Sequence, residues 1–337
     1  MAGWASIGDG IPIVSAPYPW LAPHWRQFEA WRAAGRLPHA ILLSGPAGWG
    51  KAKLAFAMAT KLLGITPQQV REGDDGEATE RQVHADLRWV EADLEGGSRQ
   101  IKIDQIREFA GFIASTSMSG VKVGVIVEAE RMNTNAANAL LKTLEEPAGA
   151  THLILITHRP GALLATIRSR CQVVPVMPSP DLARTWLGQT VGMSEAVDGL
   201  LWLSSFAPLR AMALLQDGSA AASLAALALL PKLSSGESSL RATLTAALAA
   251  DPVLLLDGWL RALHDAEVGN SIPGAAGSWT HLAATARAVA DTSSGDALFT
   301  EAPFTDAILQ AKRHVLSTSN PNLPWLLEAL LQRWVAA

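Results

Sequence analysis

The stretch that most restricts how this chain can fold is AILLSGPAGWGKAKLAFAMATKLLG, Ala40 to Gly64. It opens on an apolar run, AILLSG, that reads as a buried strand. It passes through a glycine-rich loop and continues as a helix from Lys51 to Leu63, with Gly64 as the stop. Gly45, Gly50 and Lys51 keep the spacing G-x-x-x-x-G-K. Glycines at this spacing let backbone N–H groups close around phosphates at a helix N-terminus, where the helix dipole favours an anion. The alternative is a glycine-rich turn without a ligand, and the strand before and helix after favour the phosphate loop.

Further along, β-rich and helical runs alternate. LRWVE (Leu87–Glu91), VKVGVIVE (Val121–Glu128), HLILIT (His152–Thr157) and QVVPV (Gln172–Val176) read as strands. IKIDQIREFAGFI reads as a helix with Ile103, Ile106, Ala110 and Ile113 on one face. TNAANALLKTLEEP reads as a helix with Ala137, Leu140, Leu141 and Leu144 as its stripe and Pro147 as its stop. Such alternation predicts an α/β fold, a parallel sheet covered by helices. VPVMPSP (Val174–Pro180) reads as a hinge, Asp181 to Gln216 as compact and helical, and everything from Gly218 onward as helical. The expected domains are 1–177, 178–217 and 218–337.

The loop lacks parts that hydrolysis needs. Where a phosphate loop carries Ser or Thr to hold Mg²⁺, this chain has Ala52. With Glu128 in the acidic position that orients water, the metal-holding carboxylate position falls on Val127. Without both ligands the metal is poorly placed and the transition-state charge poorly neutralised. Little or no intrinsic ATPase is therefore expected, with weak ATP or ADP binding left open by Lys51. The run THRPGALLATIRSRC carries Arg159, Arg168 and Arg170 without an acid. Arg159 and Arg168 read as a solvated basic face. Arg170, at the junction into the last strand, has the planar fork that stabilises a phosphate across a subunit boundary.

Composition narrows the classes further. The net charge of −4 argues against a general polyanion binder. A lone cysteine, Cys171, excludes a disulfide framework within the chain and a cysteine zinc site, and fits a reducing, cytoplasmic setting. The N-terminus has no signal-peptide pattern. The apolar run Ser219–Leu230 is too short for a bilayer and is expected to end at Pro231. Between Gln69 and Gly97, nine acids stand against three arginines, which predicts a solvated, mobile loop.

GPAGWGK, ERMNTNAANALLKTLEEP and ATIRSRC together resemble the AAA+ clamp-loader family. AANALLKTLEEP matches the family pattern at twelve consecutive positions, and SRC matches its arginine-finger motif. YPW, RLPHAILLSGP and NPNLPWLLEALL are also typical, and the resemblance is weakest from Ser219 to about Asp306. It implies an AAA+ module, a small helical lid and an all-helical collar for oligomerisation. It implies a five-subunit ring with delta and gamma/tau subunits that loads a sliding clamp onto primer–template DNA, as part of a DNA-directed DNA polymerase holoenzyme (a nucleotidyltransferase by complex membership). The subunit itself would have no polymerase activity. On this resemblance Arg170 is the finger offered in trans, Gly45 to Lys51 a relic nucleotide loop, Glu128 the Walker B remnant and Thr157 the sensor-1 position. Arg210 is either the sensor-2 arginine or an ordinary lid-surface charge. Many members carry a four-cysteine zinc module where this chain has the acidic segment Gly73–Glu80, so no zinc is expected, and His84 reads as structural. The competing reading is an active gamma/tau-type ATPase, against which Ala52 and Val127 argue. A P-loop kinase lacks support from any acceptor-site pattern.

Overall fold

The structure is a computed structural model that describes residues 18–65, 84–92, 100–192, 194–268, 304–317 and 322–336. The chain divides into two compact units, Met1–Leu182 and Ala183–Ala337. Most of the acidic segment expected to be a mobile loop, Gly73–Glu80 included, lies outside the described residues.

In the first unit, helix α1 (Ala22–Ala33) precedes strand β1 (Ala40–Ser44), which runs through the glycine loop into helix α2 (Lys51–Leu63). Gly64 closes α2 in the left-handed region at φ 67°, a conformation that glycine adopts without a Cβ penalty. Then follow β2 (Leu87–Val90), helix α3 (Ile103–Ala114) and β3 (Lys122–Ile126). Helix α4 (Thr134–Glu145) is capped by the Asn133 carboxamide oxygen, which accepts from the Ala136 N–H at 2.8 Å. Strand β4 (Thr151–Thr157), the short α5 (Ala165–Arg168) and β5 (Gln172–Pro175) complete the unit.

The five strands are parallel, in the order β2-β3-β4-β1-β5. β1, β3 and β4 occupy the middle and are buried nearly throughout, as strands covered on both faces must be. β5 is an edge strand, where Pro175 costs no ladder hydrogen bond to a further neighbour. Ile106, Phe109 and Ile113 of α3 pack with Ala136, Ala137, Leu140 and Leu144 of α4 in one core with Leu42, Ile126, Leu153 and Leu155 of the sheet. The stripes differ slightly from those the spacing predicts: Phe109 and Ala136 are buried, while Ala110 and Leu141 are only partly so. Phe109 fills the space above Gly124 of β3, where an added Cβ would lie 2.4 Å from the ring.

Among its described residues, the acidic window contains strand β2 and a buried acid. Asp86, one of its nine acids, is 0% exposed rather than solvated. Its carboxylate accepts the backbone N–H groups of Met118 at 3.0 Å and Ser119 at 2.7 Å, and it lies 3.8 Å from the buried Lys122 ammonium. Burial alone would raise its pKa, but these hydrogen bonds and those of the Ser117 and Ser119 hydroxyls win and hold it at about 2.

The second unit is all helical among the described residues. Its boundary falls inside α6 (Pro180–Val191), followed by α7 (Ser194–Leu203), α8 (Pro208–Gln216) and α9 (Ser219–Ser234). Then come α10 (Leu240–Ala249), α11 (Pro252–Val268), α12 (Phe304–Leu316) and α13 (Leu323–Ala336). Helix α9 does not end at Pro231 but runs on to Ser234. Leu230, Leu233 and the buried Trp334 ring, whose N–H donates to the Leu230 carbonyl at 3.0 Å, hold that last turn in place. Trp259, Phe304 and Trp334 form an aromatic cluster with centroids 5.4 to 5.8 Å apart. No single helix among the described residues is long and apolar enough to cross a membrane.

Candidate functional site

The glycine loop leaves β1 at the middle of the sheet, and its shape depends on glycine. Gly45 has φ 143°, and a Cβ there would lie 2.3 Å from the Val176 carbonyl oxygen. Gly48 and Gly50 are left-handed at φ 76° and 80°. An aromatic layer braces the loop. The Trp20 indole donates to the Trp49 carbonyl at 2.9 Å, Tyr18 stacks on Trp20 at 5.0 Å, and the Tyr18 ring comes within 2.9 Å of where a Gly50 Cβ would be. Burial pushes the Tyr18 phenol up to about 12.

Lys51 is 2% exposed at the start of α2. Its ammonium donates to the carbonyl oxygens of Gly45 at 2.6 Å and Pro46 at 2.5 Å. Desolvation lowers its pKa to about 8, and the charges of Glu130 and Glu128 oppose that shift without cancelling it.

Opposite the loop stand residues from the ends of β3 and β4. Glu128 follows β3 in the left-handed region at φ 50° and pairs with Arg131. Thr157 ends β4 in register with Ser44, the last residue of β1, and its hydroxyl accepts the Arg159 N–H at 3.2 Å. Two further residues, Glu130 and His158, join this group, and the motif spacing did not select them. The Glu130 carboxylate accepts the His158 backbone N–H at 3.0 Å, and the His158 Nε2 lies 3.5 Å from Glu128. Burial would raise the Glu130 pKa, but hydrogen bonds from its own N–H, Thr157 and His158 lower it. Burial, then the Lys51 charge, lower that of His158. The second Glu130 oxygen and the His158 Nδ1 are buried without a protein partner among the described residues. The sequence signal for both was position alone: Glu130 is two residues past Glu128, and His158 directly follows Thr157.

The donor set suits phosphate better than a metal. The loop glycines and Lys51 fit a phosphate group. Ala52 and Val127 bring no oxygen to Mg²⁺, and no group of three His, Cys, Asp or Glu side chains that could hold a metal ion occurs among the described residues. Lys51 and the loop N–H groups are the groups a phosphate would meet, and the Glu128 and Glu130 carboxylates stand close enough to act on the Lys51 charge.

The other predicted site residues have partners of their own. His84 is used structurally, its Nδ1 accepting the Asp86 N–H at 3.0 Å. Arg170 lies just past α5, one residue before Cys171, with its side chain 35% exposed. One arm of its fork pairs with Glu145 at the end of α4, and the other donates to the Thr166 carbonyl at 3.0 Å. Arg168 donates to the Pro160 carbonyl at 2.8 Å. In the second unit, Arg210 of α8 lies 3.7 Å from Asp257 of α11, which also pairs with Lys312 of α12.

Comparison with known proteins finds similarity over the first unit. Residues 21–180 match the family described as DNA polymerase III, delta subunit. The chain is 41% identical over 211 residues to DNA polymerase III subunit delta' of Pseudomonas aeruginosa, covering 60% of this chain and 62% of that protein. To the subunit delta' of Escherichia coli it is 36% identical over 203 residues, covering 59% and 61%. It is also 36% identical over 141 residues to DNA polymerase III subunit gamma of Buchnera aphidicola, covering 41% and 38%. The chain thus spans about three fifths of the length of the delta' relatives it matches. Over that matched region, which includes the parallel sheet, the glycine loop and the SRC turn, the chain is similar to DNA polymerase III delta' subunits.

Proposed function

We propose that this chain is a non-hydrolysing, stator-type subunit of a DNA polymerase III clamp loader. It assembles with gamma/tau and delta subunits in the cytoplasm and helps load a sliding clamp onto primer–template DNA. It supplies Arg170 to the nucleotide of an adjacent ATPase subunit. The helical region after Met177 serves as lid and collar. The observation that carries this reading is the contrast between its two phosphate-directed cations. Lys51 is buried and turned onto its own loop, beside positions that lack both magnesium ligands. Arg170 is at the surface, held by one carboxylate and one carbonyl.

The intact G-x-x-x-x-G-K and the likeness to a gamma subunit favour the second reading, an active gamma/tau-type ATPase. One reconstitution separates the two. This chain is assembled with its cognate gamma/tau and delta subunits, and clamp- and DNA-stimulated ATP hydrolysis is measured. Arg170→Ala is expected to lower turnover sharply, toward the ~10³-fold at the lower end of what an engaged arginine finger contributes, diluted by the sites it does not serve. Lys51→Ala is expected to change it little. The reverse pattern would establish the motor reading.

A further inference from the structure

The contact between Glu145 and Arg170 joins the two sequence motifs of the site. Glu145 is the last residue of α4, in the LLKTLEEP run, and Arg170 belongs to SRC, 25 residues later. The guanidinium has five N–H donors. One goes to the Glu145 carboxylate and one to the Thr166 carbonyl, so the planar fork is gripped from two directions by two different helices. No other acid pairs with Arg170 among the described residues, and Glu145 pairs with no other cation among them.

We propose that Glu145 is a positioning residue for the arginine finger: it presets the Arg170 fork at the rim of the sheet before a neighbouring nucleotide arrives. This rests on the reading that Arg170 acts on the phosphates of an adjacent subunit. The magnitudes decide between presetting and blocking. The pair is half in solvent, with side chains 35% and 48% exposed, and an exposed ion pair is weak. A triphosphate at a subunit boundary offers several charge-assisted hydrogen bonds in a drier setting and displaces a single screened carboxylate. Glu145 therefore cannot hold the finger back from phosphate. It is strong enough to restrict a long, flexible side chain to one arrangement, which lowers the entropy lost when the transition state forms.

The test uses the full chain in the reconstituted loader, with ATP as the probe and kcat and KM read separately at low salt. Glu145→Gln and Glu145→Ala are expected to lower kcat about two- to fivefold with KM unchanged, because the finger acts on charge that develops in the transition state. Glu145→Asp is expected to recover part of the loss, and 0.5 M salt to shrink the gap between Glu145→Gln and the parent. Glu146→Gln, at the exposed neighbouring position, serves as the control that leaves kcat unchanged. Unaltered melting of the variant chains separates positioning from folding. A rise in kcat on removing the carboxylate, no change, or a change confined to KM would overturn the assignment. If Arg170→Ala leaves the loader unaffected, the finger reading itself falls. If Arg170→Ala is severe while Glu145→Gln is silent, only the positioning role falls.

Discussion

The Lys51 ammonium donates to the carbonyl oxygen of Gly45 at 2.6 Å, so the cation of the glycine loop is held by the residue that opens the loop. In this arrangement the ammonium is hydrogen-bonded to loop carbonyls, and Ala52, the second residue of α2, stands where a metal-binding hydroxyl would sit. The isolated chain, given ATP and Mg²⁺, is expected to release phosphate no faster than the protein-free control. Lys51→Ala should leave that baseline where it is. A phosphate-release assay checks this, and turnover near the ~10 s⁻¹ typical of enzymes would contradict it.

Asp86 predicts an acid limb to stability. Its pKa is about 2 in the folded chain against an ordinary 3.8. The unfolded state binds more protons between those values, so the contribution is present above about pH 4 and is lost as the pH falls toward 2. Asp86→Asn is expected to flatten this part of the curve. It should also destabilise the chain at neutral pH by about 3 kcal/mol, because the buried Lys122 loses its carboxylate. Thermal unfolding followed from pH 2 to 7 for both proteins provides the comparison.

Gly45→Ala tests whether the loop tolerates any side chain. The added Cβ would meet the Val176 carbonyl oxygen at 2.3 Å, and φ is 143°. Since the obstacle is backbone, it cannot rotate away. A loss of about 2–4 kcal/mol in a denaturant titration is expected. Wild-type stability in the variant would show that β5 shifts at little cost.

Gly124→Ala meets a side chain instead. Its Cβ would lie 2.4 Å from the Phe109 ring, and overpacking of this kind costs about 1–3 kcal/mol. Phe109→Leu in the same chain should recover part of that loss. The two substitutions are then expected to be less than additive, a coupling that a double-mutant cycle measures directly.

Much of the fold was legible because its signals are local. α2 has its expected ends, β1 stops at Ser44, one residue before the expected Gly45, and α4 begins after Asn133 and ends before Pro147, since caps, glycine stops and helical spacing act over a few residues. Pro231 misled for a tertiary reason: the packing of Leu230, Leu233 and Trp334 carries the helix past it. Asp86 misled likewise, because an acid in an acidic run is buried once two backbone N–H groups and a lysine converge on it from residues 32 to 36 positions away.

The candidate site divides along the same line. Gly45, Gly50, Lys51 and Glu128 could be named from motif spacing, as could the missing ligands at Ala52 and Val127, whereas Thr157 and the role of Arg170 came from the family resemblance. Spacing could not show that Glu130 and His158 would meet, that Lys51 would turn onto Gly45 and Pro46, or that Glu145 would grip Arg170. Sequence by itself determined which residue types were present and which secondary elements carried them. Only the tertiary structure decided which charges face one another, because the parallel sheet brings together strand ends and helix ends separated by dozens of residues, and the energy of a charge depends on its neighbours and its distance from water.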